Sequence, residues 1–426
     1  MRPRLALLVP LSILIPSPAL ADDPDPFAGA AQLDRAALVE EVLARNPDVV
    51  AAEAAVAAAR ARARGAGAFD DPTLSFGFAP QSVVSDVPFG YRVELRQKLP
   101  FPGKRARARA VAAAEVDVAG AEVGGVRLEL AQMASDLYDE YYVVGRARVI
   151  NDHHRALVVE MEESASAQYV VGRASAQDPL MARSKAAALA RERVELSAEG
   201  DQIIAELNGL LHRPPDAPLP PPPAELVSAP APRGTSAELQ RMALERHPGR
   251  AAARARIRGA QAEVAMARRE RLPDFELMAS FDSMAMMPEH RWMVGVMIDL
   301  ALQRGRRRAA VDAAGAETRR MQRMDDRLAD ELRVAVDRAH RQVRAAEELV
   351  ALDESSVIPA AQAQLDTARA GFIANQNDFI PVIAAEEMLR EAELEREMAR
   401  AELSRRRAAL ARAVGLVPGL PAGDVP

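Results

Sequence analysis

The sequence predicts a mainly α-helical protein that carries a membrane β-barrel portion, and three observations point to that class. First, the 426 residues are rich in Ala, Leu, Arg and Glu and only 4% aromatic. Those residue types lose little on entering a helix. Second, two pairs of short segments alternate apolar and polar side chains with a period of two. Third, the chain repeats itself. Asn46-Pro47 returns as His247-Pro248, Pro72 as Pro273, and Tyr91–Leu99 as Trp292–Leu300. The offset of 201 residues (91 to 292) becomes 203 further on, pairing Tyr169 with Phe372 and Leu207 with Leu410. A period this long marks a duplicated fold unit, not a solenoid.

Composition excludes several classes. The net charge is -6, and basic residues are interspersed with acidic ones, so no nucleic-acid surface is expected. Cysteine is absent, which excludes disulfides and a lipid anchor on cysteine. Residues 1–21 read as a secretory signal: Arg2 and Arg4, an apolar run from Leu5 to Ile15, then Ala19-Leu20-Ala21 as cleavage site. Past it, no run of roughly 18 apolar residues occurs, so any insertion into a membrane is expected as β-structure.

The elements follow in order. A helix is expected over Asp34–Arg45, and Asn46-Pro47 caps and restarts it up to about Phe69. A strand at about 72–80 puts Leu74, Phe76 and Phe78 on one face. The return strand, about 90–99, sets Tyr91, Val93, Leu95 and Leu99 against Arg92, Glu94, Arg96 and Lys98. Pro100-Phe101-Pro102-Gly103 ends it, and a proline-free helix runs from about 104 to 170 with a stripe at spacings of three and four. Gly172 stops that helix, and Asp178-Pro179 caps the next, which reaches about Leu211. Nine prolines then fall within 213–232, a stiff crossover. The second half repeats the plan, with strands at about 273–283 and 291–300 and a long helix at about 304–373 that Pro359 should bend. Asp378 caps the last helix. The expected organisation is a signal peptide at 1–21, a first repeat at 22–212, a crossover at 213–235, a second repeat at 236–416 and a tail at 417–426.

Each strand has one apolar and one polar face, the pattern of a barrel strand between lipid and water. A soluble sheet packed on a helix would share it, but two hairpins in matched register beside such long helices favour the membrane reading. Four strands fall short of the roughly eight that close the smallest barrels, and open edges cannot lie in lipid. Several chains must therefore share one barrel; two, three or four all satisfy the physics.

The order of motifs resembles the outer-membrane efflux proteins of the TolC family, across essentially the whole mature sequence. They are Asp71-Pro72, Gln97-Lys98-Leu99-Pro100-Phe101-Pro102-Gly103-Lys104, Tyr169-Val170-Val171-Gly172 with Gln177-Asp178, Val357-Ile358-Pro359-Ala360, and Phe372 to Phe379. The Leu-Pro-Phe-Pro-Gly-Lys form is most similar to the heavy-metal branch served by RND-type pumps. The absence of the lipidated cysteine found in many members of that branch is a departure. The resemblance implies a homotrimer with a twelve-stranded barrel and a helical periplasmic tunnel. It also implies outer-membrane lipid around the barrel, a periplasmic adaptor (membrane fusion protein) and an inner-membrane pump as partners, and no cofactor.

Candidate residues follow from these placements. Asp178 and Asp378 stand at the two helix-to-helix turns, where each could cap a helix or join a ring of carboxylates at the periplasmic entrance. Tyr169, Gly172, Arg173, Phe372, Ile373 and Asn375 are expected at an exposed tip that meets the adaptor. Tyr91 and Trp292 begin equivalent strands and suit an aromatic girdle. Met278, Met284, Met286, Met287, Met293 and Met297, with His290, enrich the second hairpin in ligands for soft metal ions; the plainer reading is space-filling between barrel side chains.

No nucleophile–His–acid grouping, zinc spacing or phosphate loop is present, so no enzyme is expected and energy must come from a partner. The expected function is a passive exit duct of a tripartite efflux system, for metal ions of the Cu/Ag or Co/Zn/Cd type. Drugs or other small molecules are the alternative cargo. A soluble periplasmic coiled-coil adaptor is the alternative of another class.

Overall fold

The computed structural model describes residues 26, 27, 29–83, 88–374 and 376–420. The signal peptide expected at 1–21, Asn375 and the last residues of the tail lie outside these. The chain runs α1 (Arg35–Arg45), α2 (Pro47–Gly65), β1 (Thr73–Phe78), β2 (Tyr91–Leu99), α3 (Lys104–Val170) and α4 (Gln177–Leu210). The same order then returns as α5 (Ser236–Arg246), α6 (Pro248–Arg269), β3 (Asp274–Asp282), β4 (Trp292–Asp299), α7 (Arg304–Leu352), α8 (Ile358–Ile373) and α9 (Ile380–Val414).

Local chemistry sets the helix starts. Asn46 caps α2: its Oδ1 accepts from the Asp48 N–H at 2.9 Å, and Pro47 takes the first helical position. His247 does the same for α6, with Nδ1 accepting from the Gly249 N–H at 3.1 Å ahead of Pro248. Thr235 and Glu238 form a reciprocal capping box on α5. At 67 residues, α3 is unbroken and about 100 Å long at the usual rise.

Its counterpart is interrupted, though not at Pro359. A π-helical turn spans Asp353–Val357, between α7 and α8. Proline lacks an N–H and its ring crowds the carbonyl four residues back. That carbonyl belongs to Ser355, inside the wider turn, so the backbone relieves the conflict upstream of the proline that creates it.

Three apolar clusters hold the helices together. One joins α1, α3 and α4 through Leu38, Val42, Ala134, Tyr138, Leu207 and Leu211. A second, near the distal turns, joins α3, α4, α8 and α9 through Val158, Leu189, Leu365, Phe372 and Val382. A third joins α5, α7 and α9 through Leu239, Val336, Val343 and Leu410. Buried alanines within these seams let the helices approach closely. The crossover is pinned to α3: the Tyr141 hydroxyl donates to the Pro220 carbonyl at 3.1 Å. Pro222 packs so tightly on Gly145 that a Cβ there would sit 2.4 Å from its ring.

The strands form one antiparallel sheet in the order β1-β2-β3-β4. Pairing of β2 with β3, from Arg92 opposite Asp282 to Leu99 opposite Phe275, joins the two hairpins. β1 and β4 are the edges.

Candidate functional site

The register resolves the sheet into two chemically distinct faces. One carries Leu74, Phe76, Phe78, Tyr91, Val93, Leu95, Phe275, Leu277, Ala279, Phe281, Trp292, Val294, Val296 and Ile298, with Gln97 as its one polar side chain. Among the described residues nothing covers its β4 part: Val294 is 83% exposed and Trp292 70%. The opposite face carries Thr73, Ser75, Arg92, Glu94, Arg96, Lys98, Glu276, Met278, Ser280, Met293 and Met297. Arg92 pairs with Asp282 at 2.6 Å, and Arg96 pairs with Glu94. β2 and β3 are each nine residues long, enough for a tilted strand to cross a bilayer core.

Tyr91 and Trp292 stand in a continuous aromatic row. Ring centroids run Phe78–Phe89 at 6.3 Å, Phe89–Tyr91 at 5.9 Å, Tyr91–Phe281 at 5.7 Å and Phe281–Trp292 at 5.2 Å. A second contact, Phe101–Phe275 at 6.3 Å, lies at the helical end. The six residue steps from Phe275 to Phe281 separate the two bands by about 20 Å of strand.

The Leu99–Lys104 motif is the joint between sheet and helices. Gly103 adopts the left-handed region at φ 93°, turning the chain into α3. Lys104, 7% exposed, reaches Asp274 at 2.9 Å and Glu270 at 3.5 Å. Asp274 also accepts from the Phe101 N–H at 2.8 Å. The first hairpin is thereby locked to the root of the second.

At the distal turns, several expectations need correction. Asp178 is not a helix cap; α4 begins one residue earlier, with Ala176 in the cap position. Its carboxylate instead reaches back to the Ser175 N–H at 3.1 Å. Asp378 is not a cap either: Phe379 occupies that position ahead of α9, without a side-chain hydrogen bond, and Asp378 is exposed. Phe372, expected at the tip, is buried against Phe379 at 5.1 Å and belongs to the second apolar cluster. Tyr169, Arg173 and Ile373 are exposed, and Gly172 takes φ +73° at the turn.

The methionines separate into two groups. Met278, Met293 and Met297 lie on the charged face of the sheet, whereas Met284, Met286 and Met287 are exposed in the β3–β4 connection with His290. Among the described residues no group of three or more His, Asp or Glu is arranged to hold a metal ion.

Two buried polar contacts between distant segments have no local signature in the sequence. The guanidinium of Arg35 donates to Asp139 at 2.5 Å, to the Ser135 hydroxyl at 2.7 Å and to the Val227 carbonyl at 3.3 Å. It also lies 4.2 Å from the centroid of the Tyr138 ring. His154, wholly buried on α3, puts Nδ1 2.8 Å from Glu386 and Nε2 3.2 Å from Glu393, both on α9. Burial works against the charged imidazole, but the hydrogen bonds and charges of the two glutamates outweigh it and hold its pKa above the ordinary value. Both ring nitrogens face a glutamate, an arrangement that favours the doubly protonated imidazolium.

Residues 239–416, from α5 through the end of α9, match the family model of the outer membrane efflux proteins. The second half of the chain is thus similar to the outer membrane efflux proteins. No curated protein matches the sequence. In fold, the chain is similar to the outer membrane protein VceC of Vibrio cholerae, at TM-score 0.74 and 19% identity over 89% of this chain and 95% of that one. It is also similar to CusC, whose structures concern transmembrane channel formation, at 0.76 and 17% over 91% and 93%. The outer-membrane channel OprN gives 0.72 and 21% over 92% and 96%. These likenesses extend the fold of outer-membrane channels to the first repeat as well. The matched family is that of outer membrane efflux proteins, and the fold is that of solved outer-membrane channels. The alternative of a soluble adaptor is set aside. Among the described residues no helix is long and apolar enough to cross a membrane.

Proposed function

We propose that this protein is an outer-membrane efflux protein, the passive duct of a tripartite system, assembled as a homotrimer and exporting heavy-metal ions. One observation carries the reading: a sheet with one face apolar but for Gln97 and one charged face ends in two unpaired edges, at the root of helices about 100 Å long. Such a sheet is satisfied in lipid only when other copies close it into a barrel. Three copies of four strands give the barrel that the TolC-family resemblance implies.

The aromatic row through Tyr91 and Trp292 would then meet the lipid interface as a girdle. Tyr169, Arg173 and Ile373, exposed at the turns, would meet a periplasmic adaptor, with Phe372 supporting them from below. Asp178 and Asp378 would be repeated around the axis at the periplasmic entrance, favouring cations. An inner-membrane pump of the RND type would supply energy and choose the cargo. The methionine-rich second hairpin and the Leu99–Lys104 motif support metal ions of the Cu/Ag or Co/Zn/Cd type as that cargo.

Mass measurement of the detergent-solubilised protein, followed by planar-bilayer conductance, tests the duct; a folded, non-conducting monomer refutes it. Deletion in the native host tests the cargo, with sensitivity to metal salts expected. Sensitivity to drugs alone would reassign it.

A further inference from the structure

We propose that Met278, Met293 and Met297 form a weak site for a soft monovalent cation on the charged face of the sheet, while the methionines of the β3–β4 connection do not. The inference rests on the duct reading and specifies which of its residues meet cargo. Met278 stands directly opposite Gly295, and Met293 and Met297 flank that glycine two residues to either side on the same face. Diagonal neighbours of this kind lie about 7–8 Å apart at the backbone, within reach of three long side chains. Met278 uses the missing side chain at Gly295: its Cγ, Cε and Sδ lie 3.2, 3.3 and 3.5 Å from where a Cβ would stand.

Comparison of the two repeats makes the grouping specific. The positions equivalent to Met293, Gly295 and Met297 in the first repeat are Arg92, Glu94 and Arg96. There, the arginines take charged partners, Asp282 and Glu94. In the second repeat the same face has exchanged those charges for thioethers. Packing does not account for the exchange, because Met293 is 53% and Met297 44% exposed on a face otherwise suited to water. Thioethers bind Cu(I)-type ions and discriminate against harder divalent ones. The surrounding charge permits a cation: Arg96, opposite Met278, is paired with Glu94, and Glu276 stands opposite Met297. Neutral ligands open to water hold such an ion loosely, as an exit path requires. Met284, by contrast, lies over Gly90 in the connection between strands, and Met286 is fully exposed with no thioether neighbour fixed by the register.

Equilibrium dialysis of the full-length protein in detergent against Ag(I), in chloride-free buffer, tests the site. Retention of silver by the wild type, its loss when Met278, Met293 and Met297 are all changed to Leu, and its persistence when Met284, Met286 and Met287 are changed to Leu is the expected pattern. Co(II) should not be retained. Silver retention unchanged in the first variant, lost only in the second, or matched by Co(II) overturns the proposal. Where the triple variant does not fold, Met293→Leu and Met297→Leu, each at an exposed position, decide it: neither weakening silver binding overturns the site. Conductance separates the two failures. Current without silver retention removes the site and leaves the duct standing, whereas absence of current removes the duct on which the site rests.

Discussion

His154 and Glu386, 232 residues apart in the chain, meet at 2.8 Å with both side chains wholly out of solvent. The contact ties α3 of the first repeat to α9 of the second, and Glu393 completes it from the next turns of α9.

This clip should make the helical portion sensitive to alkaline pH. The folded pKa of His154 is raised, so its stabilisation is fully present below the unfolded value of about 6.5 and is lost as pH rises through the folded value. Thermal unfolding of the solubilised protein from pH 6 to 9 should show a falling midpoint. His154→Leu should remove that slope and cost roughly 3–5 kcal/mol at pH 6, because it leaves a buried carboxylate unpaired. A wild-type midpoint that is flat over this range refutes the assignment.

His247 should act in the opposite sense. Burial, and then Arg412, lower its pKa, and its Nδ1 must be unprotonated to accept from Gly249. The stabilisation is present above about pH 6.5 and is lost as pH falls through the lowered folded value. His247→Asn installs the residue that caps α2 in the first repeat, so it should keep the cap and abolish the acid-side loss. Unfolding midpoints of variant and wild type between pH 5 and 7.5 provide the comparison; parallel curves would exclude the mechanism.

Charge on the apolar face should block assembly. Leu95 lies between Leu74 and Ala279 in the register. Arginine in the middle of a barrel's lipid face costs about 2–4 kcal/mol per site. Leu95→Arg should sharply reduce the yield of folded oligomer inserted into liposomes, while Glu94→Gln on the other face should not. The reverse ranking would mean that the faces are inverted.

Asp378 offers a clean electrostatic test, because it caps no helix. Asp378→Asn should leave stability within about 0.5 kcal/mol, as surface substitutions do, yet reduce cation selectivity and multivalent-cation block in planar bilayers. Unchanged selectivity in a normally folded variant would exclude the entrance ring.

Arg35 should be among the costliest single positions in the helical portion. Arg35→Met leaves Asp139 buried without its cation, a loss of roughly 3–5 kcal/mol. Arg35→Lys should recover only part of it, since an ammonium cannot present the fork that meets Asp139 and Ser135 together. Denaturant midpoints rank the variants, and equal stability of all three proteins would refute the ledger of contacts at this site.

The strand faces were legible because four charges alternate with apolar residues over Arg92–Lys98, a pattern no helix produces. The helix starts at Pro47 and Pro248 were legible because Asn and Pro leave a local signature. Pairing of β2 with β3 was not: it joins segments more than a hundred residues apart, and alternation names a face without naming a neighbour. The caps at Asp178 and Asp378 failed because a proline fits anywhere in a first turn, where its missing N–H has no partner to lose. Phe372 was misplaced because Phe379 folds back onto it across the turn. Nothing local to His154 announces that two glutamates more than two hundred residues later enclose its ring. The growth of the repeat offset from 201 to 203 does have a structural companion, since α7, the π turn and α8 together occupy the place of the single helix α3.

The bare edges of β1 and β4 have a consequence before the protein ever conducts. A newly exported chain would cross the periplasm carrying a greasy sheet flanked by two strands able to accept any third. Delivery then becomes a race between joining sister chains and indiscriminate strand addition. An escort that masks those edges, or very prompt insertion, is as much a requirement of this sequence as the finished pore.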